Sequence, residues 1–134
     1  MDSLTRRNFL STVAFFLPSL SLTASTWKSK KSLIVHHVLF WLKNVNSEED
    51  KIKLMENLEA LKKIEYHRTL IGIPMEGQEY EGTDSSYNVS LVTYFDDVKG
   101  RTAYENHPVH QAFIRDSNYL WQKTVTYTTV CQLP

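Results

Sequence analysis

The stretch AYENHPVHQAF, residues 103–113, gathers Tyr104, His107 and His110 around Pro108. Three roles fit such a cluster: a metal site, an acid–base pair, or the start of a helix. His-x-x-His is too common to imply zinc by itself, because a catalytic zinc wants three converging protein ligands. His36 or His37 would have to complete the set. On a strand, consecutive side chains point to opposite faces, so only one of those two can join. No metal is called for on this basis. Pro108 suits the first position of a helix, where its missing N–H costs nothing. His107 precedes the proline, which pushes its backbone to the extended region and makes it a cap at a helix break. Tyr104 and His110 lie on either side of that break, so their spacing alone does not place them on one helical face.

The chain around this cluster is short and balanced. Its 134 residues imply one domain, with a core small enough that oligomerisation would help to bury more surface. It carries 15 basic and 15 acidic residues. The Lys28, Lys30 and Lys31 run is the densest basic patch, and it reads as a solvated segment, so nucleic acid is not an expected partner. Cys131 is the single cysteine, which excludes an intramolecular disulfide and predicts a buried, inert thiol.

Residues 1–24 have the layout of an export signal. Arg6 and Arg7 precede an apolar run, and small residues close the segment at Ala24. Arg6-Arg7-Asn8-Phe9-Leu10 resembles a twin-arginine signal. Pro18 and several Ser and Thr residues make the run too short and polar to span a membrane. No cysteine follows it to carry a lipid anchor. Cleavage after Ala24 removes Arg6, Arg7 and Asp2 and leaves 15 − 2 = 13 basic and 15 − 1 = 14 acidic residues. The expectation is an exported, periplasmic or extracellular protein without stable membrane association after cleavage. A twin-arginine substrate folds before export, so the lone thiol can cross buried and reduced.

Residues 25–32 read as a polar linker, and residues 33–132 as the folded domain. LIVHHVLFWL, Leu33 to Leu42, has the length and β-branched, aromatic content of a strand. Ser47 followed by Asp50 is a helix-capping pattern. Ile52, Met55, Leu58, Leu61 and Ile64 then recur every three residues, which predicts an amphipathic helix whose Lys and Glu side, Glu48 to Lys63, faces solvent. Tyr66 to Ile73 reads as a second strand, with His67 exposed at its start and Pro74 at its end. The acidic stretch Glu76 to Asp84 is a lid or a connector. Tyr87 to Phe95 alternates, with Tyr87, Val89, Leu91, Thr93 and Phe95 on one face. Asp97 to Asn106 reads as a helix with Val98, Ala103 and Tyr104 on its apolar side. A further helix runs from Pro108 to about Leu120, and TVTYTTVCQL is the last strand.

The resulting order, β-α-β-β-α-β, is the ferredoxin-like α+β arrangement: a four-stranded antiparallel sheet with helices on one face. The other face needs cover, and a second copy of the chain supplies it. Trp41, Tyr87, Phe95 and Tyr127 are the large groups expected there, while Trp41 and Trp121 read as core or interface residues. The expected assembly is a homodimer whose two sheets pack into an α/β barrel.

HHVLFWLK at 36–43, YFDDVKGRTAYENHPVHQAF at 94–113 and VTYTTV at 125–130 resemble the stress-responsive A/B barrel, or Dabb, domain family. The matching positions are His36, Leu39, Phe40, Leu42 and Lys43, then Phe95, Tyr104, His107, Pro108 and His110. The resemblance covers about residues 33–132. It implies the dimeric barrel and a cavity between sheet and helices, lined by His36, Phe40, Val89, Leu91, His107 and Phe113. A plant polyketide cyclase of this family closes a linear chain by aldol condensation with a histidine and a tyrosine. These fall at His110 and Tyr104 here, and its first-strand histidine falls at His36. A further pocket histidine of that enzyme is replaced by Val89, which changes the polarity of the pocket.

In that setting a neutral imidazole at His110 takes a proton α to a carbonyl, and the Tyr104 phenol meets the oxygen on which charge develops. Such a pair suits enolisation, aldol cyclisation or decarboxylation of a small apolar or aromatic compound, with no cofactor. The first expectation is an exported homodimer that binds a small apolar ligand in its cavity with no assignable reaction; the cyclase or isomerase pair is the alternative, and a purely structural dimer and a haem or quinol monooxygenase of the same fold are further ones. The additional residues a monooxygenase would need are not evident in the sequence.

Overall fold

The computed structural model describes residues 31–65 and 67–134. The expected export signal, residues 25–30 of the linker, and Tyr66 lie outside them. The strands are β1 (Ser32–Leu42), β2 (Arg68–Gly72), β3 (Val89–Phe95) and β4 (Trp121–Gln132). The helices are α1 (Glu48–Glu59), α2 (Val98–Glu105) and α3 (Pro108–Ser117), with single 3-10 turns at Ala60–Lys63 and Asn118–Leu120. The strands form one sheet in the order β2-β3-β1-β4, and every neighbouring pair is antiparallel. This is the α+β, ferredoxin-like arrangement expected from the element order.

Period-two alternation sorts each strand. Val89, Leu91, Thr93 and Phe95 of β3 are buried, and they pair with Phe40, Val38, His36 and Ile34 of β1. These residues face the helices, so Phe95 belongs to the helix side, in contrast to its expected place on the open face. It alternates in step with Val89 and Leu91 and is 1% exposed. The opposite face carries Val35, His37, Leu39 and Trp41 of β1, Val92 and Tyr94 of β3, Leu70 of β2 and Tyr127 of β4. Leu70 and Tyr127 are exposed, and Trp41 packs edge-on against Tyr87. Cys131, expected to be buried, is half-buried near the end of β4.

α1 starts where its cap predicts. Ser47 is extended, and its Oγ accepts from the Asp50 N–H at 3.1 Å. The Asp50 carboxylate does not return the bond, because it accepts from Asn44 Nδ2 at 2.7 Å. The buried stripe is Leu54, Leu58 and Leu61, followed by Ile64. Ile52, expected on that stripe, is 49% exposed. At about 100° per residue a strict three-residue repeat falls short of a turn by roughly 60° each time, whereas steps of four and three keep one face. In α2 only Tyr104 is buried; Val98 and Ala103, expected beside it, are exposed. The helix is only 8 residues long, and a single side chain on it reaches the core.

Candidate functional site

The junction between α2 and α3 brings the chemistry together. Asp97 caps α2 by accepting from the Gly100 N–H at 2.6 Å, which places Tyr104 in the helix's last turn. His107 is extended, with φ −67° and ψ 137°, as a residue before proline must be. Its Nδ1 accepts from the Val109 N–H at 3.1 Å, so its side chain caps α3 and Pro108 occupies the first helical position. His107 is therefore spent on the helix break and is not among the residues bordering the cavity, contrary to the expectation that it would line it.

The break also decides the state of His110. In an uninterrupted helix the Glu105 carbonyl would accept from the N–H of Val109. That N–H has gone to His107, and the Glu105 oxygen accepts instead from His110 Nδ1 at 3.1 Å and from Gln111 Nε2 at 2.6 Å. A carbonyl only accepts, so Nδ1 carries the proton and Nε2 keeps its lone pair. Burial lowers the pKa of His110, and the hydrogen bond to Glu105 opposes it. The imidazole is thus a neutral base at neutral pH.

Tyr104 lies beside it, with ring centroids 4.8 Å apart and planes at 51°. It is 2% exposed, it packs edge-on against Phe95, and its hydroxyl has no protein partner. Burial pushes its pKa up to about 12, although the nearby Thr93 hydroxyl pulls the other way. Thr93 and Tyr104 do not meet good hydrogen-bond geometry, and both oxygens remain unpartnered. An unpaired buried hydroxyl costs about 1–3 kcal/mol, so this phenol is disposed to donate to whatever oxygen reaches it. His36 stands across the cavity with Nδ1 2.9 Å from Thr128 Oγ1. Burial lowers its pKa, the charge of Arg101 and the proximity of His110 lower it further, and Glu105 opposes them.

His36, Tyr104 and His110 border one cavity of about 350 Å³ between the sheet and α2–α3. Phe40, Leu91 and Phe113 line it as the resemblance implies; Val38, Ile114, Asn118, Trp121, Thr124 and Thr126 complete the wall. Trp121 stacks on Phe113 and meets Phe40 edge-on, which makes it a wall of the cavity as well as a core residue. Val89, expected at the cavity, is fully buried and does not border it. It pairs with Phe40 at the far end of β1, and the Phe40 ring stands on the cavity side. Thr124 and Thr126 are legible in principle, since strand alternation turns them to the same side as Phe40 and Val38, with which they pair. His67 carries no such signal. Expected to be exposed, it is half-buried, with its ring stacked on Phe95 at 6.2 Å and 5.0 Å from that of Tyr104. Among the described residues no three His, Cys, Asp or Glu side chains converge as metal ligands.

The model of the stress responsive A/B barrel domain, Dabb, matches residues 34–130. The chain belongs to this family. Solved structures show the same fold at low identity. A Dabb family protein with a ferredoxin-like fold from Mesorhizobium loti is 21% identical with a TM-score of 0.61, over 75% of this chain and 97% of that one. A dimeric ferredoxin-like protein of unknown function from Thermobifida fusca is 20% identical with a TM-score of 0.60, over 75% and 92%. A hydroxynitrile lyase from Passiflora edulis is 13% identical with a TM-score of 0.64, over 76% and 95%. Among curated proteins no sequence relative matches.

The burial of Tyr104 in this Dabb domain has a consequence for stability. Its folded pKa of about 12 stands above the ordinary value of 10.0, so between those values the unfolded chain ionises and the folded one does not. Stability is therefore complete below pH 10 and falls as the pH rises toward 12, by about 2–3 kcal/mol for a two-unit shift. Urea unfolding of the wild type and of Tyr104→Phe across this range checks it. The variant should lose less stability by that amount, and equal losses would show that the phenol titrates normally.

Proposed function

We propose that this Dabb protein is a proton-transfer catalyst that works without a cofactor on a small, largely apolar carbonyl compound. One observation carries the reading: the break at Pro108 leaves His110 as a neutral base, and Tyr104, whose buried hydroxyl has no protein partner, borders the same cavity. His110 Nε2 takes the proton from the carbon α to the carbonyl. Negative charge moves to the carbonyl oxygen, where the Tyr104 O–H meets it and donates. The enol then adds to a second carbonyl, whose oxygen takes the imidazolium proton, or is reprotonated on carbon by the imidazolium, and as its own carbonyl re-forms the O–H proton returns to Tyr104. Aldol cyclisation and isomerisation both use these two half-steps. A hydroxynitrile lyase among the structural neighbours is an enzyme of the same fold, which supports a catalytic role for the cavity without naming a reaction or a substrate.

The cavity's composition supports an apolar or aromatic substrate. Phe40, Leu91, Phe113 and Trp121 provide apolar walls, while His36, Tyr104 and His110 bring the titratable groups and Asn118, Thr124 and Thr126 add neutral polar ones. Exchange of α-hydrogens for deuterium in small aryl ketones, followed by NMR, tests the pair whatever the natural substrate is. His110→Ala should lower the rate by about 10²–10⁴-fold, and Tyr104→Phe should slow it while leaving ketone binding in place. A rate no higher than that of buffer, or an unchanged rate in His110→Ala, would refute the assignment.

The homodimer belongs to the same proposal. The open sheet face carries Val35, Leu39, Trp41, Leu70, Val92 and Tyr127, a contiguous apolar surface of the kind that marks an interface. The related protein from Thermobifida fusca is described as dimeric. Sedimentation should give twice the mass of one chain, and Leu70→Glu, at the exposed centre of β2, should shift it toward one. A monomer at micromolar concentration would remove the sheet-to-sheet pairing. Export through residues 1–24 is likewise proposed, supported by Arg6 and Arg7 before the apolar run.

A further inference from the structure

The open face of the sheet has one titratable ring at its centre. His36 and His37 are consecutive on β1, so the alternation that gives His36 to the cavity gives His37 to the other side. His37 pairs with Val92 of β3 and with Tyr127 of β4, and Val35 and Leu39 flank it along β1. Beyond Val92 the same row ends in Leu70 of β2. The ring is already half-buried in a single chain. Burial alone lowers its pKa, with no charge or hydrogen bond to oppose it.

Charged groups keep to the two ends of this face. At one end Lys123 stands 4.3 Å over the Trp41 ring, and its charge reaches Asp84, which accepts from Ser86 beside the Trp41 indole. That end is four residues from His37, about 13 Å along an extended strand and beyond the screening length of physiological salt. At the other end Arg68 lies over the Tyr94 ring and shares a cleft with Asp96. The remaining titratable side chains of the face are the phenols of Tyr94 and Tyr127 and the thiol of Cys131, and none of these is a carboxylate. A two-fold interface takes the same patch from each copy. With the two centres facing, each His37 gains apolar cover and no counter-charge.

We propose that His37 makes the homodimer acid-sensitive: neutral, it is buried between the two sheets, and protonated, it drives them apart. This rests on the reading of the open face as the dimer interface. An imidazolium in an apolar layer without a partner is strongly disfavoured, whereas on a free chain the same ring can charge in contact with water. The free chain therefore binds the proton more readily than the dimer does, and association weakens as the pH falls below the ordinary histidine value of 6.5. Each dimer contains two such rings. Once the free chains are charged, dissociation takes up two protons, and the dimer Kd rises by up to about a hundredfold per pH unit.

Sedimentation of the dye-labelled chain over a dilution series, at pH 7.5 and pH 5.0, measures this without a substrate, with circular dichroism reporting that the fold persists. The wild-type Kd should rise by about tenfold or more between the two pH values, whereas that of His37→Leu should stay within about threefold. A wild-type dimer equally tight at both pH values overturns the switch and leaves the dimer standing. A wild type that is monomeric at pH 7.5 overturns the dimer and the switch together. Equal weakening of His37→Leu in acid assigns the effect to another group and also overturns the proposal. His37→Lys places a cation at the same point and decides the matter at pH 7.5, even where acid unfolds the wild type or His37→Leu does not fold. It should give a folded chain with a Kd at least about tenfold weaker than the wild type, and an equally tight dimer overturns the proposal.

Discussion

The hydrogen bond from His110 Nδ1 to the Glu105 carbonyl is the interaction on which the site depends. It exists because Pro108 interrupts the helical ladder. Pro108 has no N–H to offer the Tyr104 carbonyl, and the His107 N–H takes that place at 3.1 Å. Val109, which would have served Glu105, turns to the His107 side chain. The Glu105 oxygen is thereby released to a side chain. One imino acid thus ends α2, starts α3, selects the tautomer of His110 and sets its ring beside Tyr104.

Burial completes what this geometry begins. The same low-dielectric surroundings move the two groups in the directions their roles require: they depress the imidazole, so that it is neutral and basic, and they raise the phenol, so that it remains an acid. The surroundings come from the sheet. Phe95 packs beneath Tyr104, and Phe40 and Trp121 wall the cavity against the strands. The polar row Thr69–Thr93–His36–Thr128 crosses this apolar layer at one level. It gives His36 a fixed partner in Thr128 and sets the Thr93 hydroxyl near Tyr104.

Much of this is legible in the residues. The order of elements follows from periodicity and from the punctuation at Ser47, Pro74 and Pro108, and the family pattern places Tyr104, His110, His36, Phe40, Leu91 and Phe113 near one cavity. The departures have physical causes. Ile52 falls on a three-residue repeat of apolar side chains, but helical pitch turns Leu54 inward in its stead. Val89 lies on the pocket side of β3, but position along a strand is a tertiary property, and Val89 sits where the helices already close the core. Phe95 has the size that an open face needs, yet its own alternation points inward. His67 is hidden from the sequence because its burial depends on Phe95 and Tyr104, which are distant in the chain, and no local pattern announces a ring contact between strand and helix. Capping by His107 is readable from the proline that follows it; the redirected Glu105 carbonyl is not.

The measurement that bears most directly on the central claim is the ¹⁵N NMR of the His110 imidazole across neutral and mildly acidic pH. A protonated Nδ1 and an unprotonated Nε2 are expected at neutral pH, with the ring charging only below the ordinary histidine value of 6.5. Replacing Pro108 by Ala should weaken that preference by returning the Glu105 carbonyl to the helix. A ring protonated on Nε2, or one already charged at neutral pH, would leave no base facing the cavity and would contradict the mechanism.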